Sequence, residues 1–344
     1  MIDVTGSGSR ETGRFIHSAN SYANEVTALR RRRSTALTLA AVSLTMALAM
    51  PSITAAASTM KAVEYPVPIS SGSILDVTAG PDGAVWFTEK QAATIGRITP
   101  RGAVHLYPLP SPNPDWAPPQ VMAITTGSDG ALWFASAAPD AGRLTTAGVF
   151  SWFPMPDDSM WVTAGPDGNL WFAESNGHIA RVTTSGVVTD FGAPPSGNLA
   201  HTIIAGPDGA MWFDDGAQMI GRLTTSGVYT EYPLDHPTDT SCLAAGANGK
   251  VWIAEEGYIA QVSSTGVMKD HPAPTSSLGL GCLVAKGKLM WFTTNNGVGH
   301  MAAGGVYTTF ASPSGDASAG LCVGPDGHIW SNEFTSIARW VSSP

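Results

Sequence analysis

The chain predicts an all-β fold, a seven-bladed β-propeller of four-stranded antiparallel blades, and three observations carry that expectation. Seven tryptophans, Trp86, Trp133, Trp171, Trp212, Trp252, Trp291 and Trp330, recur at spacings of 47, 38, 41, 40, 39 and 39 residues. A turn segment of the Gly-Pro-Asp-Gly type begins six residues before most of them, at 80–83, 127–130, 165–168, 206–209, 246–249 and 324–327. Turn formers are abundant, with 38 glycines and 25 prolines, while only 13% of the 344 residues are charged. A period near forty residues with several short strands marks units that bury their apolar faces on one another around a common axis. It overrides the two-domain expectation that length alone would raise.

Within a unit the elements follow in order. A short apolar strand such as Val77-Thr-Ala79 enters the turn, where Pro presets the first dihedral, Asp or Asn bonds its own backbone, and Gly takes positive φ. A second strand, as in Ala84-Val-Trp-Phe-Thr88, carries the marker indole, whose task is to fill the space between adjacent blades by burying about 200 Å². A third strand follows, as in Ile95-Gly-Arg-Ile98, and a second glycine turn (183–186, 224–227, 263–266) leads to a fourth, as in Val228-Tyr-Thr-Glu-Tyr232. Blade six departs, its turn Lys286-Gly-Lys288 being one residue shorter. The seventh unit stops after its third strand, at Arg339-Trp-Val341. The segment Lys61-Ala-Val-Glu-Tyr-Pro-Val-Pro68 looks like a fourth strand, so residues 61–68 are expected to complete blade seven and seal an edge that would invite aggregation.

Residues 1–57 differ from the rest. Four arginines, Arg30 to Arg33, precede an uncharged stretch over 35–50 and the run Ala55-Ala-Ala57. This is the layout of a secretory signal with cleavage after Ala57, leaving a propeller over 61–341 in a secreted or extracytoplasmic location. The arginine pair before Ser34 also points towards a twin-arginine route. The apolar stretch is short for a membrane span, so no stable membrane insertion is expected after cleavage, and a retained anchor is the alternative. The leader holds six arginines and three acids, so its removal takes the net charge from −9 to −12. Such a surface repels phosphate backbones, and nucleic acid is excluded as a partner. A monomer is expected. Three cysteines, Cys242, Cys282 and Cys322, lie forty residues apart on equivalent strands. Their number is too small and odd for a disulfide scaffold, and they read as small buried hydrophobes, with one disulfide among them as the alternative.

Candidate chemistry collects where the loops between strands two and three and the loops entering each innermost strand share one face, at the channel mouth. A partial ring of acids lies three residues beyond the marker indole: Glu89, Glu174, Asp215, Glu255 and Glu333, with Glu256 adjacent. Converging carboxylates can hold a divalent cation or act as bases. Alternatively they pair with Arg97, Arg181, Arg222 and Arg339, six to eight residues after an acid, and brace the hairpin. His201 is the sole histidine five residues before a turn glycine, a candidate base or metal ligand. The long proline-rich connection 108–120 carries Trp116 to the same face, either as a rigid aromatic lid or as a rim insertion.

Units such as Gly165-Pro-Asp-Gly-Asn-Leu-Trp-Phe-Ala-Glu174, followed by Ile-Ala-Arg-Val-Thr and Thr-Ser-Gly-Val-Val-Thr-Asp-Phe, resemble those of the virginiamycin B lyase (streptogramin lyase) family over about residues 61–341. The resemblance implies a seven-bladed propeller that opens a cyclic depsipeptide by elimination, using Mg2+ and a histidine base at the channel mouth. The family's catalytic histidines fall on Leu280 and Ala319 in this chain, its catalytic Glu on Phe334 beside Glu333, and its substrate-contacting Tyr on Leu75. His201 matches the histidine in residue type, but in the fourth unit. Two functions follow. One is a lyase of altered specificity acting on a small molecule or peptide, with His201 as base and Glu174, Asp215, Glu255 or Glu256 holding a cation. The other is a non-catalytic secreted propeller that binds a peptide, glycan or protein through its top face.

Overall fold

A computed structural model describes residues 60–69, 73–113, 115, 117–215, 219–234, 242–255, 257–272, 281–302, 304–316 and 320–342. The expected leader, together with Trp116, Glu256, Leu280 and Ala319, lies outside the described residues. The strands form seven four-stranded antiparallel sheets, and the first strands of successive blades are neighbours around the ring. In blade three, for example, the strands run outwards in chain order as Ser159–Ala164, Leu170–Glu174, Ile179–Val182 and Val188–Asp190. No helix among the described residues is long and apolar enough to cross a membrane.

Blade seven is built from both ends of the propeller. Leu321–Val323, Ile329–Asn332 and Ser336–Ser342 are completed by Met60–Pro66, paired antiparallel from Met60 opposite Ser342 to Pro66 opposite Ser336. The Val67 N–H extends the pairing by donating to the Thr335 carbonyl at 3.0 Å. Glu64 fastens the strand sideways to blade six, its Oε1 accepting the Ser314 N–H at 2.9 Å and the Ser312 hydroxyl at 3.0 Å. Tyr65 supplies the ring that stacks on Trp330, with centroids 5.8 Å apart. The closing strand thus brings a complete fourth-strand pattern.

The core is divided into seven clusters, one per interface between blades. Trp86 packs with Leu132 and Phe134 of blade two, Trp133 with Leu170 and Phe172 of blade three, and so on until Trp330 packs with Val85 and Phe87 of blade one. None of the seven marker indoles is more than 6% exposed. Each also stacks on an aromatic or histidine ring in or directly after the fourth strand of its own blade, such as Tyr107 on Trp86 or His271 on Trp252. The period in the sequence is therefore a period of interblade wedges.

The arginines do not pair with the ring of acids. Strand register sets each one opposite the indole, Trp86 facing Arg97 and Trp330 facing Arg339, which sends it towards the first turn and away from the mouth. There it meets the turn aspartate: Arg97–Asp82, Arg143–Asp129, Arg222–Asp208 and Arg339–Asp326 lie at 2.5 to 2.7 Å, and Arg181–Asp167 at 3.5 Å. The other oxygen of the same aspartate accepts the indole N–H at 3.0 to 3.2 Å. Partial burial pushes these carboxyls up, but hydrogen bonds from the indole and its companion donors outweigh it and hold all five below the usual range. Close approach is part of the device, since a Cβ on Gly206 would collide with the Trp212 indole.

All three cysteines are free, Cys242 and Cys322 buried and Cys282 half-buried. The disulfide alternative is not formed. Cys242 Sγ instead accepts the Leu283 N–H at 3.2 Å, and contact with Cys242 together with burial pushes the Cys282 thiol up.

Candidate functional site

Antiparallel strands place the hairpins between strands two and three on the face opposite the aspartate turns, together with the loops that enter the next blade. Each acid of the predicted ring ends or follows a second strand, so its side chain is carried to that face by the same register that buries the indole. All five are buried, at 0 to 3% exposure. No three of them form a metal-sized group among the described residues. Glu89 accepts the Gln91 and Ala92 backbone N–H groups of its own hairpin, at 3.1 and 2.5 Å. Glu333 Oε2 accepts the Ser314 and Ser336 hydroxyls at 3.0 and 2.7 Å. Asp215 and Glu255 are equally buried but join no metal-sized group with other donors among the described residues.

Glu174 is the exception. Neither of its carboxylate oxygens has a hydrogen-bond partner. Burial, reinforced by the charge of Asp190, pushes its carboxyl up to about 7; a backbone N–H at Asp157 opposes this without reaching hydrogen-bonding geometry. Its oxygens share a neighbourhood with His178 and Asp190, one donor atom of each residue lying within 4.8 Å of the others.

His201 stands two residues before the innermost strand of blade four, Ile203–Ala205, where a residue not singled out from the sequence accompanies it. Asp214, 3% exposed, accepts the His201 N–H at 3.0 Å, the Thr202 N–H at 2.6 Å and the Thr202 hydroxyl at 3.1 Å through Oδ1. Its second oxygen faces His201 Nδ1 at 3.8 Å, while the imidazole remains 43% exposed. A half-exposed imidazole backed by a buried, pinned carboxylate is the arrangement of an oriented base. The signal was visible as Asp214-Asp215, the one place where two acids follow the Trp-Phe pair.

Asp76 is a second residue that sequence reasoning missed. It joins the innermost strands of blades one and two, Oδ2 accepting the Ile124 N–H at 2.9 Å and Oδ1 the Val77 N–H at 2.8 Å. Burial pushes its carboxyl up to about 6 against those two bonds. At the position matching a catalytic Glu by resemblance, Phe334 is 63% exposed.

A sequence profile of the virginiamycin B lyase family matches residues 45–160 and 115–340. Over 47 residues, 14% of the chain, the sequence is 45% identical to a virginiamycin B lyase of Bordetella parapertussis strain 12822, and the match spans 16% of that relative's length. The fold superposes on a streptogramin B lyase structure with a TM-score of 0.75 at 26% identity, covering 83% of this chain and 98% of that one. A catalytically inactive histidine-to-alanine variant of the virginiamycin B lyase from Staphylococcus aureus, solved with quinupristin, gives 0.74 at 27% identity over 83% and 100% of the two chains.

Proposed function

The chain belongs to the virginiamycin B lyase family, and from that premise we propose that it is an exported carbon–oxygen lyase that opens a cyclic depsipeptide, or a small molecule of similar chemistry, at the channel mouth with His201 as base. The observation that carries this reading is the pairing of a half-exposed His201 with the buried Asp214. In such an elimination the base takes a proton from a carbon next to a carbonyl. The electron pair left behind forms a carbon–carbon double bond as the ester C–O bond breaks, and the ring opens to an alkene and a carboxylate. His201 Nδ1 is turned to Asp214, so Nε2 is the atom assigned to accept the proton. Asp214 is held by the backbone N–H groups of His201 and Thr202, and its charge stabilises the imidazolium that forms.

The family's Mg2+ does not fit the matching position. Phe334 offers no donor, and the neighbouring Glu333 is 1% exposed, with Oε2 committed to two serine hydroxyls and Oε1 alone without a partner, one buried oxygen where such an ion takes several. No step is therefore routed through that ion. The test is direct: purified protein incubated with a streptogramin B depsipeptide, followed by mass-resolved chromatography, should yield the linear product. His201→Ala should lower the rate at least a hundredfold, as loss of a general base does. Intact substrate after prolonged incubation would dismiss the lyase reading. Export is tested on the same preparation, since protein recovered from the medium should begin at Ser58.

The exposed Phe334, in place of a carboxylate, supports a second reading: a secreted propeller that holds a peptide, glycan or protein at its top face without turning it over. Saturable binding of the depsipeptide without product would select it.

A further inference from the structure

Blade three carries a cluster of donors that the lyase reading does not use. Glu174 closes the second strand, His178 is the last residue of the four-residue hairpin that leads to the third, and Asp190 ends the fourth. The pairing of Ala180 with Asp190 brings the outer strand level with that hairpin. His178 Nδ1 lies 3.1 and 3.2 Å from the two Asp190 oxygens, and Asp190 Oδ1 is fixed by the Gly192 N–H at 2.7 Å. Glu174 Oε1 and Oε2 are buried, without hydrogen-bond partners, and lie beside these two side chains.

An ionised carboxylate removed from water with neither hydrogen bonds nor a counter-charge is unfavourable, and proteins resolve it by pairing, by coordination or by protonation. Pairing is absent here. Arg181, the basic residue of this blade, lies at the other end of its strand, on Asp167 and the Thr225 carbonyl. The further charges acting on Glu174 are Asp190 and Asp157, both negative, opposed by His178. In blade one both oxygens of the equivalent acid accept hairpin amides, and in blade seven Oε2 accepts two serine hydroxyls while Oε1 alone has no partner. The residue that faces it across the hairpin there is Thr94 or Ser336, whereas blade three alone presents a histidine.

We propose that Glu174, His178 and Asp190 form a binding site for a divalent transition-metal ion of the Zn2+ or Mn2+ type. One imidazole nitrogen with two carboxylates suits those ions, whereas Mg2+ and Ca2+ prefer all-oxygen shells. Donors around such an ion stand roughly 3 to 3.5 Å apart, given bonds near 2.0 to 2.2 Å. Closing from 4.8 Å falls to His178 and Asp190, whose side chains are 35% and 37% exposed and can shift, while Glu174 is fixed by burial. The ion would replace the contact between His178 and Asp190 and supply the charge that Glu174 lacks. The site lies in a different blade from His201, so it stands or falls separately from the lyase reading.

The full chain, stripped with a chelator, is titrated with ZnCl2 and MnCl2 by calorimetry and by thermal midpoint. One equivalent of at least one ion should bind and raise the midpoint. Glu174→Gln and His178→Gln should each weaken binding at least tenfold and abolish the midpoint shift. Glu174→Gln removes a buried charge without changing shape, so its metal-free midpoint should equal or exceed that of the wild type, which separates loss of a ligand from misfolding. His201→Ala should keep the equivalent in place. Absence of saturable binding, retention of the full affinity in Glu174→Gln, or tighter binding of MgCl2 or CaCl2 than of either transition ion would overturn the proposal.

Discussion

Replacing Asp129 tests whether the aspartate turn secures the interblade wedge through the indole or through the arginine. Its Oδ1 accepts the Trp133 indole N–H and the Ala131 N–H, both at 3.2 Å, and its Oδ2 accepts Arg143 Nε at 2.7 Å. Arg143 also lies over the Trp133 ring, 5.9 Å from the centroid. Asp129→Ala leaves the N–H of a fully buried indole without an acceptor, costing about 1–3 kcal/mol, and removes the turn bond, costing about 0.5–1 kcal/mol. The ion pair adds only about 0.5 kcal/mol, because both side chains are about one-fifth exposed and water screens them. The total is about 3 kcal/mol, or a fall of roughly 5 °C in thermal midpoint for a domain of this size. Asp129→Asn keeps an oxygen for both N–H groups and should cost about 1 kcal/mol. Blade five already contains this exchange: Asn248 accepts the Trp252 N–H at 3.1 Å and donates to Gln261, which stands where the arginine would be. The double variant Asp129→Asn/Arg143→Gln should therefore be more stable than the sum of its single changes predicts. Calorimetric scans of the wild type, the two Asp129 variants, Arg143→Gln and the double variant decide the matter. If Asn and Ala were equally damaging, the acceptor role of the carboxylate would be refuted and the charge would carry the effect.

Three further outcomes follow from the same geometry. The five turn aspartates are held below the ordinary aspartate range in the folded protein, so their contribution is complete above about pH 4 and lost as pH falls through the lowered values. Urea midpoints should thus drop steeply from pH 4 to 2, less so in Asp129→Asn, while Asp76, pushed up to about 6, acts in the opposite sense between pH 6 and 4. Gly142→Ala should cost about 1–3 kcal/mol, read as a lower thermal midpoint, because a Cβ there would collide with the edge of the Phe134 ring. Deleting residues 60–66 should open blade seven, uncover Trp330 from Tyr65 and produce aggregation, visible by light scattering at temperatures where the full chain stays clear.

The fold was legible because its main energetic device is a large residue at a fixed period. Seven indoles, the turns before them and a fourth-strand pattern stranded at the front of the chain sufficed to give blade number, strand order and closure. What escaped was pairing that depends on register rather than on distance along the chain. Arg97 is nearer in sequence to Glu89 than to Asp82, yet the hairpin sets it opposite Trp86 and turns it towards Asp82. Asp214 was hidden by attention to the third position after the indole, although the second position points to the other side of the strand and meets the loop that carries His201. The group of Glu174, His178 and Asp190 spans three strands, and only the pairing of Ala180 with Asp190 reveals it.

The two ends of each blade answer to different constraints. At the turn end, five blades repeat one clamp of aspartate, indole and arginine, and blade five replaces it with a neutral version. Blade six shows what the clamp adds. Its Trp291 has no acceptor for the indole N–H, yet it remains 3% exposed, flanked by His300 and Phe310. Packing alone therefore keeps an indole buried, and the clamp contributes tightness at the edge of the interface. Beside the neutral version, between blades five and six, a cavity of about 290 Å³ opens at Trp252 and Gln261, rimmed by Lys250, Lys269 and Lys288. At the mouth end no such repeat is enforced: the same structural position is satisfied by amides in Glu89, by serines at one oxygen only in Glu333 and by nothing in Glu174. Because interblade cohesion does not depend on those side chains, departures from the repeat there cost the fold little, and they are where the chemistry of this propeller is to be sought.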